Sequence, residues 1–429
     1  MKLWDKGYTT AEKVEKFTVG NDRILDLKLA KYDVEASRAH AEMLEKTGLL
    51  TKDELQALQK GLDAIAQSIE NGTFTIEENF EDVHSKIEFE LTRTAGEAGK
   101  KIHTARSRND QVLVALQLYL KDEITTIKEA VRQLFHQLIA LSEKNKAVLL
   151  PGYTHTQIAM PSSFGMWFAA YAEILIDDIL LFNAAYAVAD QNPLGSAAGY
   201  GSSFPVNRRE TTQKLGFNTL KYNSIAAQLS RGKVEKTTAY ALASLSGTLS
   251  KMASDMILFL SGNFNFIHFP KELTTGSSIM PHKQNPDVLE LIRAKSNKLQ
   301  NLPAEIILIV NNLISGYHRD FQLLKESIVQ GIDQVKENLE MFSFMLEHIE
   351  VNQHILDDEK YKFLYTVESV NKLVQQGKSF REAYQIVGKK VLDGSYIPDR
   401  DIHHTHEGSI GNLCNNEIVK KFNRFYSLP

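Results

Sequence analysis

Apolar side chains recur every three or four residues along much of this chain, which is the spacing of one face of an α-helix. The longest such stripe, between residues 110 and 143, consists of Leu113, Leu116, Leu120, Ile124, Ile127, Val131, Leu134, Leu138 and Leu141. It predicts a single helix about 50 Å long, at roughly 1.5 Å per residue. Further long helices are predicted after Pro161 and from Lys233 to Leu260. Another is predicted to begin at Asn285 and Pro286, because asparagine favours the cap and proline the first helical position.

Turn-forming residues interrupt this helical pattern. Loops rich in glycine and serine are predicted at residues 192–203 and 262–278, and Pro303 is expected to kink or break the last of the long helices. Short β-like runs such as residues 264–269 are too few to build a large sheet. The pattern therefore predicts an all-α protein with a long central helical bundle.

The chain has 429 residues, enough for two or three domains with a large buried core. We place boundaries near residues 105 and 355, where turn-rich polar sequence meets the long helices. This division gives an N-terminal domain over residues 1–105, the central bundle over 106–355 and a C-terminal helical domain over 356–429.

Composition excludes several functional classes. The formal net charge of -4 leaves no basic footprint for nucleic acid and no polybasic patch for a membrane surface. The first six residues lack the apolar core of a secretion signal, and no apolar run approaches the roughly 18 residues that a membrane span needs. Cys414 is the only cysteine, so neither a disulfide framework nor a cysteine-based metal cluster is possible. We expect a cytoplasmic protein.

Residues 275–286 read Thr-Gly-Ser-Ser-Ile-Met-Pro-His-Lys-Gln-Asn-Pro and predict a catalytic loop. Gly276 gives the backbone freedom, and Lys283 can lie beside the hydroxyl of Ser277 if the loop folds back. A serine becomes a usable base only where cations and backbone N–H groups stabilise its alkoxide. The alternative interpretation is a polar surface turn with a helix cap.

A second cluster of polar residues, at positions 103–111, stands just before the longest helix. A helix N-terminus carries unpaired N–H groups and partial positive charge. With Ser107, Arg108 and Asn109 added there, the segment predicts a carboxylate receptor, because a guanidinium binds a carboxylate through two hydrogen bonds. The alternative is that Asn109 caps the helix while Arg106 and Arg108 lie in solvent.

The third segment, residues 151–157, opens another helix and carries a single imidazole. His155 is a candidate general acid, since an unperturbed imidazole titrates near neutrality. The alternative is a hydrogen-bonded structural histidine. A further cluster, His403, His404 and His406, has no second ligand pair, so we interpret it as a solvated loop and predict no metal site.

Together these segments resemble a known family. Residues 275–286 fit the Gly-Ser-Ser-x-Met-Pro-x-Lys-x-Asn-Pro signature of the aspartase/fumarase superfamily, whose members release fumarate. Residues 103–111 resemble the His-Thr-x-Arg-Ser-Arg-Asn-Asp-Gln segment of argininosuccinate lyases, and residues 151–157 resemble their Pro-Gly-Tyr-Thr-His-x-Gln segment. Residues 192–196 and 317–322 are also similar, and so are residues 380–383 with 387–389.

The resemblance implies a reversible β-elimination of L-argininosuccinate to fumarate and L-arginine, without a cofactor or metal. It implies that Ser277 takes the Cβ proton, that Lys283 and Asn285 stabilise the developing charge, and that His155 protonates the leaving nitrogen with Glu290 orienting it. The opposite assignment of acid and base to Ser277 and His155 stays open. It also implies a homotetramer in which each site draws on three chains.

The resemblance also implies a set of substrate-binding residues. The family positions that hold the fumarate portion correspond to Ser107, Arg108, Asn109 and Thr154, with Gln157 in the same segment as Thr154. Those near the arginine portion correspond to Tyr317, Gln322 and Lys325. Asp82 and His84 match a further substrate-side motif, for which a polar helix start is an equal alternative.

The chain departs from the family pattern mostly on the arginine side. The usual Trp-Gly-Gly-Arg-Phe is altered at residues 4–8, an expected serine is Gly20, and Ser-Asp-Arg-Asp-Phe becomes Ser-Arg-Gly-Lys-Val at residues 230–234. Leu323 and Leu324 replace an acidic pair. Two other functions stay open at this point: an adenylosuccinate lyase, or a non-enzymatic structural protein resembling the lens crystallins.

Overall fold

The computed structural model describes residues 12–427 and confirms an all-α architecture. The altered segment at residues 4–8 and the first six residues lie outside the described part. The described part of the N-terminal region contains six helices: α1 (Glu12–Val19), α2 (Asp22–Asp26), α3 (Ala30–Lys46), α4 (Lys52–Glu70), α5 (Val83–Ala95) and α6 (Glu97–Lys101).

The central region contains the long helices and short paired strands. Its elements are α7 (Arg108–Lys144), β1 (Leu149–Thr154), β2 (Gln157–Ser163), α8 (Phe164–Ala189), β3 (Gln191–Asn192), α9 (Arg208–Lys214), β4 (Thr219–Leu220), α10 (Ser224–Gln228), α11 (Lys233–Leu260), β5 (Ile267–His268), β6 (Thr275–Gly276), β7 (Gln284–Asn285), α12 (Asp287–Leu299), α13 (Leu302–Val310), α14 (Phe321–Glu347) and β8 (Glu350–Val351). The strands form only two-stranded pairs, and β3 with β4 is the parallel one among those described.

The C-terminal region folds onto one end of the bundle. It contains α15 (Thr366–Gln375), α16 (Phe380–Leu392) and α17 (Asn415–Tyr426), preceded by 3₁₀ turns at Ile355–Asp357 and Glu359–Tyr365. Helix α17 packs on α7 and α8, where Phe422 stacks on Phe135 with ring centroids 3.9 Å apart. Helices α15 and α16 share a small apolar cluster of their own. The domain boundaries near residues 105 and 355 stay a prediction.

The long helices alternate in direction, which gives the bundle two distinct ends. Arg231, just before α11, donates to the carbonyl of Phe321 at the start of α14, and α7 also starts at this end. At the opposite end, β5 after α11 pairs with β8 after α14, and the β1–β2 hairpin joins α7 to α8. We call these the cavity end and the hairpin end. Helices α11 and α14, of 28 and 27 residues, hold them about 40 Å apart.

The predicted long helices are confirmed, but two predicted caps are wrong. The cap of α7 is Ser107, whose Oγ accepts a hydrogen bond from the backbone N–H of Asn109, so Asn109 lies in the first turn. Helix α12 begins at Asp287, and Asn285 instead belongs to β7, where it pairs with Thr275. The side chain of Asn285 is drawn into that strand pair, because it donates to the carbonyl of Gly276. The break before Pro303 is confirmed, since α12 ends at Leu299.

Helix α8 is apolar around most of its circumference, although only part of it is covered within one chain. Its 26 residues include three acidic side chains and no basic one. Ile174 and Leu181, seven residues apart on one face, are 49% and 42% exposed. In the described part of the chain no helix combines the length and apolar character needed to cross a membrane. A helix that is apolar all round is normally buried.

Candidate active site

A cavity of about 230 Å³ opens at the cavity end of the bundle. It is lined by Asp22, Asp26, Glu81, Asp82, Arg108, Asn109, Val112, Arg231, Tyr317, Arg319, Gln322 and Lys325. Six of these residues were predicted as substrate-binding from the sequence. The structure therefore brings the start of α7 together with the segment that leads into α14, although more than 200 positions separate them in the chain.

The start of α7 is held in place by a buried carboxylate. One oxygen of Asp110 accepts the backbone N–H of Ser107 at 2.8 Å, and the other accepts those of Gly195 and Ala197 at 3.0 Å each. Burial raises the pKa of Asp110 to about 6, even though these N–H groups and the charge of Arg106 act in the opposite direction. The carboxylate thus ties the glycine-rich loop after β3 to the helix end that carries Arg108 and Asn109.

Arg108 is fully engaged in ion pairs within the free chain. Its guanidinium lies 2.9 Å from Glu81 and 3.2 Å from Asp82, and it donates to the hydroxyl of Ser85 at 3.0 Å. Arg319 binds the other oxygen of Glu81 at 3.0 Å. Burial alone raises the pKa of Glu81, yet the two guanidinium groups lower it below its ordinary value. A carboxylate ligand at Arg108 must therefore share or displace these acidic partners.

Lys325 forms a second charged cluster in the lining of the cavity. Its buried ammonium lies 2.8 Å from Asp22 and 2.7 Å from Asp26. Burial raises the pKa of Asp22 to about 6, and the charge of Lys325 opposes that rise. Gln322 uses its amide to hold the carbonyls of Thr18 and Val19, both at 3.0 Å, so it fixes the end of α1 beside the cavity.

His84 does not reach the cavity. It is 3% exposed, and its Nδ1 lies 3.0 Å from Asp33 of α3. Burial lowers the pKa of this imidazole, but the charges of Asp33 and Asp82 more than offset burial, so the pKa is raised overall. Asp82 itself both lines the cavity and caps α5, because its side chain accepts the N–H of Ser85 at 2.8 Å. The structure therefore shows the helix-start alternative for Asp82, and its substrate-side role stays a prediction.

The remaining predicted residues lie at the hairpin end. His155 and Thr156 form the two-residue turn between β1 and β2, with φ of 52° and 60°. Two successive non-glycine residues in the left-handed region are unfavourable, and such strain is typical of functional positions. Thr154 and Gln157 flank the turn and are exposed, as is the imidazole of His155.

Ser277 and Lys283 belong to a second hairpin at that end. Strands β6 and β7 pair Thr275 with Asn285, so the loop between them folds back as predicted. Ser277 Oγ accepts the backbone N–H of Met280 at 3.1 Å, which is a backbone donor of the kind that an alkoxide requires. In the described residues no hydrogen bond or ion pair joins the side chain of Lys283 or Glu290 to another group, and both side chains are exposed.

One chain therefore holds the predicted site residues in two groups about 40 Å apart, which we call the half-sites. Residues 107–109, 317, 322 and 325 surround the cavity, whereas residues 154–157, 277, 283, 285 and 290 lie at the hairpin end. The three histidines of the predicted loop lie elsewhere: His404 binds Glu368 and Ser409, and no group of three metal-binding side chains with suitable geometry occurs among the described residues.

Sequence reasoning missed three groups in the cavity. Asp22 and Asp26 stand four residues apart and so share a face of α2, a signal that was available. Arg231 lies at a position where the sequence departs from the family pattern. Arg319 lies inside residues 317–322, a segment in which the resemblance implies roles only for Tyr317 and Gln322. Their common position in the cavity lining is visible only when α2, α11 and α14 are packed together.

The sequence matches known lyases over almost its whole length. Residues 8–300 fit a family profile described as Lyase. An argininosuccinate lyase of Bacteroides fragilis is 57% identical over 417 residues, which cover 97% of this chain and 93% of that relative. An argininosuccinate lyase of Thermotoga neapolitana is 44% identical over 389 residues, 91% of this chain and 98% of the relative.

Solved structures show the same fold. An EDDS lyase variant with bound fumarate aligns with a TM-score of 0.73 at 22% identity, over 98% of this chain and 85% of that one. A class II fumarase from Schistosoma mansoni aligns with a TM-score of 0.76 at 16% identity, over 92% and 90%. The helical bundle, the divided polar site and the matched profile define a lyase of the aspartase/fumarase superfamily. Within that class, the chain belongs to the argininosuccinate lyase family.

Proposed function

We propose that this lyase catalyses the reversible β-elimination of L-argininosuccinate to fumarate and L-arginine. The observation that carries the proposal is the cavity, in which Arg108 and Asn109 lie beside Tyr317, Gln322 and Lys325. A dicarboxylate head and a long amino-acid tail require such a site, with cations and helix N–H groups at one side and hydrogen-bonding groups at the other. The relatives at 57% and 44% identity carry this activity in their names.

The chemical step divides among residues of the hairpin end. Ser277, as the alkoxide, removes the Cβ proton, and the released electron pair forms the double bond of fumarate. Lys283 and Asn285 stabilise the charge that develops on the neighbouring carboxylate. The C–N bond breaks with its electrons on the guanidino nitrogen, which His155 protonates while Glu290 orients the imidazole.

Absorbance detection of fumarate tests this proposal directly. We expect ultraviolet absorbance of fumarate to rise when the purified enzyme is given argininosuccinate, with arginine identified as the second product. Adenylosuccinate serves as the matched control, since its cleavage releases the same fumarate from a different leaving group. If fumarate is released from adenylosuccinate alone, the enzyme is an adenylosuccinate lyase. If neither substrate yields fumarate, the lyase proposal is refuted for these substrates.

The oligomeric state belongs to the same proposal: we propose a homotetramer whose active sites combine different subunits. About 40 Å separates the two half-sites, and no side-chain motion spans that distance. Two antiparallel copies place the cavity end of one chain beside the hairpin end of the other. The exposed apolar side chains of the bundle supply the contact surface: Ile174, Leu181, Tyr240, Leu258, Leu291 and Leu308.

Light scattering coupled to size exclusion tests the assembly. We expect a mass four times that of the 48.4 kDa chain, with activity confined to that species. Dilution that dissociates the tetramer should abolish fumarate release in parallel, because each half-site alone lacks either the base or the carboxylate receptor. A monomer with full specific activity would contradict the shared site.

A further inference from the structure

Arg231 presents a buried positive charge to the cavity. It is 5% exposed and lies between α10 and α11. Its Nε donates to Glu235 at 3.1 Å, its Nη2 donates to the carbonyl of Phe321 at 2.7 Å, and its guanidinium lies 5.5 Å from the centre of the Phe321 ring. Glu235 is itself held by the N–H of Gly232 at 2.7 Å. The guanidinium is therefore fixed before any ligand arrives.

Arg231 differs from the other cavity cations in where its partner lies. Arg108, Arg319 and Lys325 are each matched by carboxylates that also line the cavity. Glu235 is fully buried behind Arg231 and is not part of the lining. Nη1 of Arg231 has no hydrogen-bond acceptor among residues 12–427. The side of Arg231 that faces the cavity is thus a fixed donor of positive charge, suited to a carboxylate.

The wall formed by α2 and α14 has the opposite character. Lys325 carries one positive charge, whereas its two partners, Asp22 and Asp26, carry two negative charges when ionised. The cluster therefore has a net charge of about -1, which attracts a cation such as an ammonium group. Asp26 is 1% exposed and also accepts the N–H of Val83, so Asp22 is the more accessible of the two carboxylates.

We propose that Arg231 and Asp22 form the receptor for the zwitterionic end of the amino-acid leaving group, Arg231 binding its α-carboxylate and Asp22 its α-ammonium. The proposal rests on the function proposed above, in which that leaving group is arginine. It accounts for the departure at residues 230–234, because a cation at position 231 stands where the family pattern has an acid. This assignment leaves Arg108 and Asn109 to the dicarboxylate end of the substrate, which at Arg108 shares or displaces its acidic partners.

Product inhibition by three related molecules separates the two contacts. L-arginine has both groups, agmatine lacks the carboxylate, and 5-guanidinopentanoate lacks the ammonium. We expect Arg231→Met to weaken inhibition by arginine and by 5-guanidinopentanoate about tenfold to a hundredfold while leaving agmatine unchanged, because a buried charged hydrogen bond is lost. Asp22→Asn should show the opposite pattern: inhibition by arginine and by agmatine becomes weaker, whereas inhibition by 5-guanidinopentanoate is unchanged.

Two further variants test whether an effect of Arg231→Met comes from misfolding or from the loss of any arginine. Arg231→Lys keeps a charge partner for buried Glu235, so it preserves the fold while losing the planar donor set, and it should also weaken arginine binding. Arg209→Met makes the same change on an exposed arginine outside the cavity and should leave all three inhibition constants unaltered. The assignment would be overturned if Arg231→Met and Arg231→Lys weakened inhibition by arginine and by agmatine equally. It would also be overturned if inhibition by neither molecule were weakened.

The failure of this receptor is distinguishable from the failure of the proposed function. If the wild-type enzyme releases no fumarate from argininosuccinate, the substrate assignment is wrong. Calorimetric titration of the wild-type protein with arginine, agmatine and 5-guanidinopentanoate then tests the receptor on its own. Tighter binding of arginine than of both analogues, with the crossed losses in the two variants, would support it, and equal binding of all three would reject it.

Discussion

Ser277→Ala is expected to lower kcat by about a thousandfold, because general base catalysis typically contributes 10²–10⁴. The loop is exposed and Ser277 makes only two hydrogen bonds there, both to backbone N–H groups, so the melting temperature should not change. The measurement is steady-state fumarate release, paired with thermal unfolding of the same preparation. KM should change little, since the hydroxyl acts on the proton in the transition state rather than in binding.

The neighbouring hydroxyl offers a matched control for this substitution. Ser278→Ala makes the same chemical change one residue away in the same exposed loop, and we expect its kcat to stay within about threefold of the wild type. Normal turnover by Ser277→Ala would remove Ser277 from the chemical step. Equal losses in both variants would instead show that the loop tolerates no substitution and would leave the base unassigned to Ser277.

The second large effect is recovery of activity in mixed tetramers. Arg108→Met removes the carboxylate receptor at the cavity end, and Ser277→Ala removes the base at the hairpin end, so each variant alone should be nearly inactive. If every site takes these two halves from different chains, coassembly at equal amounts makes about one quarter of the sites fully wild-type. Fumarate release by the mixture should therefore approach about a quarter of the wild-type rate.

The control mixture combines two variants of the same half-site. Ser277→Ala with Lys283→Met leaves no site with an intact hairpin end if one chain supplies both residues, so no recovery is expected. Recovery in this mixture equal to that in the first would show that Ser277 and Lys283 come from different chains. Absence of recovery in the first mixture, with tetramers verified by light scattering, would contradict a site divided between subunits.

Local sequence patterns were sufficient to place the long helices. The apolar spacing between residues 110 and 143 predicted α7 to within two residues at its start and one at its end, because that spacing follows from helix geometry alone. Caps were less predictable. Ser107 and Asn109 are both good capping residues. Ser107 is the cap in the structure, because Asp110 completes a capping box with it. Asn285 was predicted to cap α12, but it pairs with Thr275 in a strand instead.

The chemical types of the candidate site residues could be predicted from the sequence, but their positions relative to one another could not. The residue types around Arg108, His155 and Ser277 already indicated a carboxylate receptor, an acid and a base. They could not indicate that His84 is buried against Asp33, because that contact depends on the packing of α5 on α3. The same limit applies to every contact between residues far apart in the chain.

The sequence by itself determined the helical class of this protein and its lyase chemistry, and it predicted the reacting side chains, since each depends on local spacing or residue type. Only the tertiary structure decided that the predicted catalytic residues and the predicted substrate-binding residues around the cavity lie at opposite ends of a bundle about 40 Å long. It also decided that Arg231 and Asp22 face the same cavity as Lys325. The physical reason is that long-range packing of α2, α11 and α14 sets these distances, and no local pattern encodes which helices become neighbours.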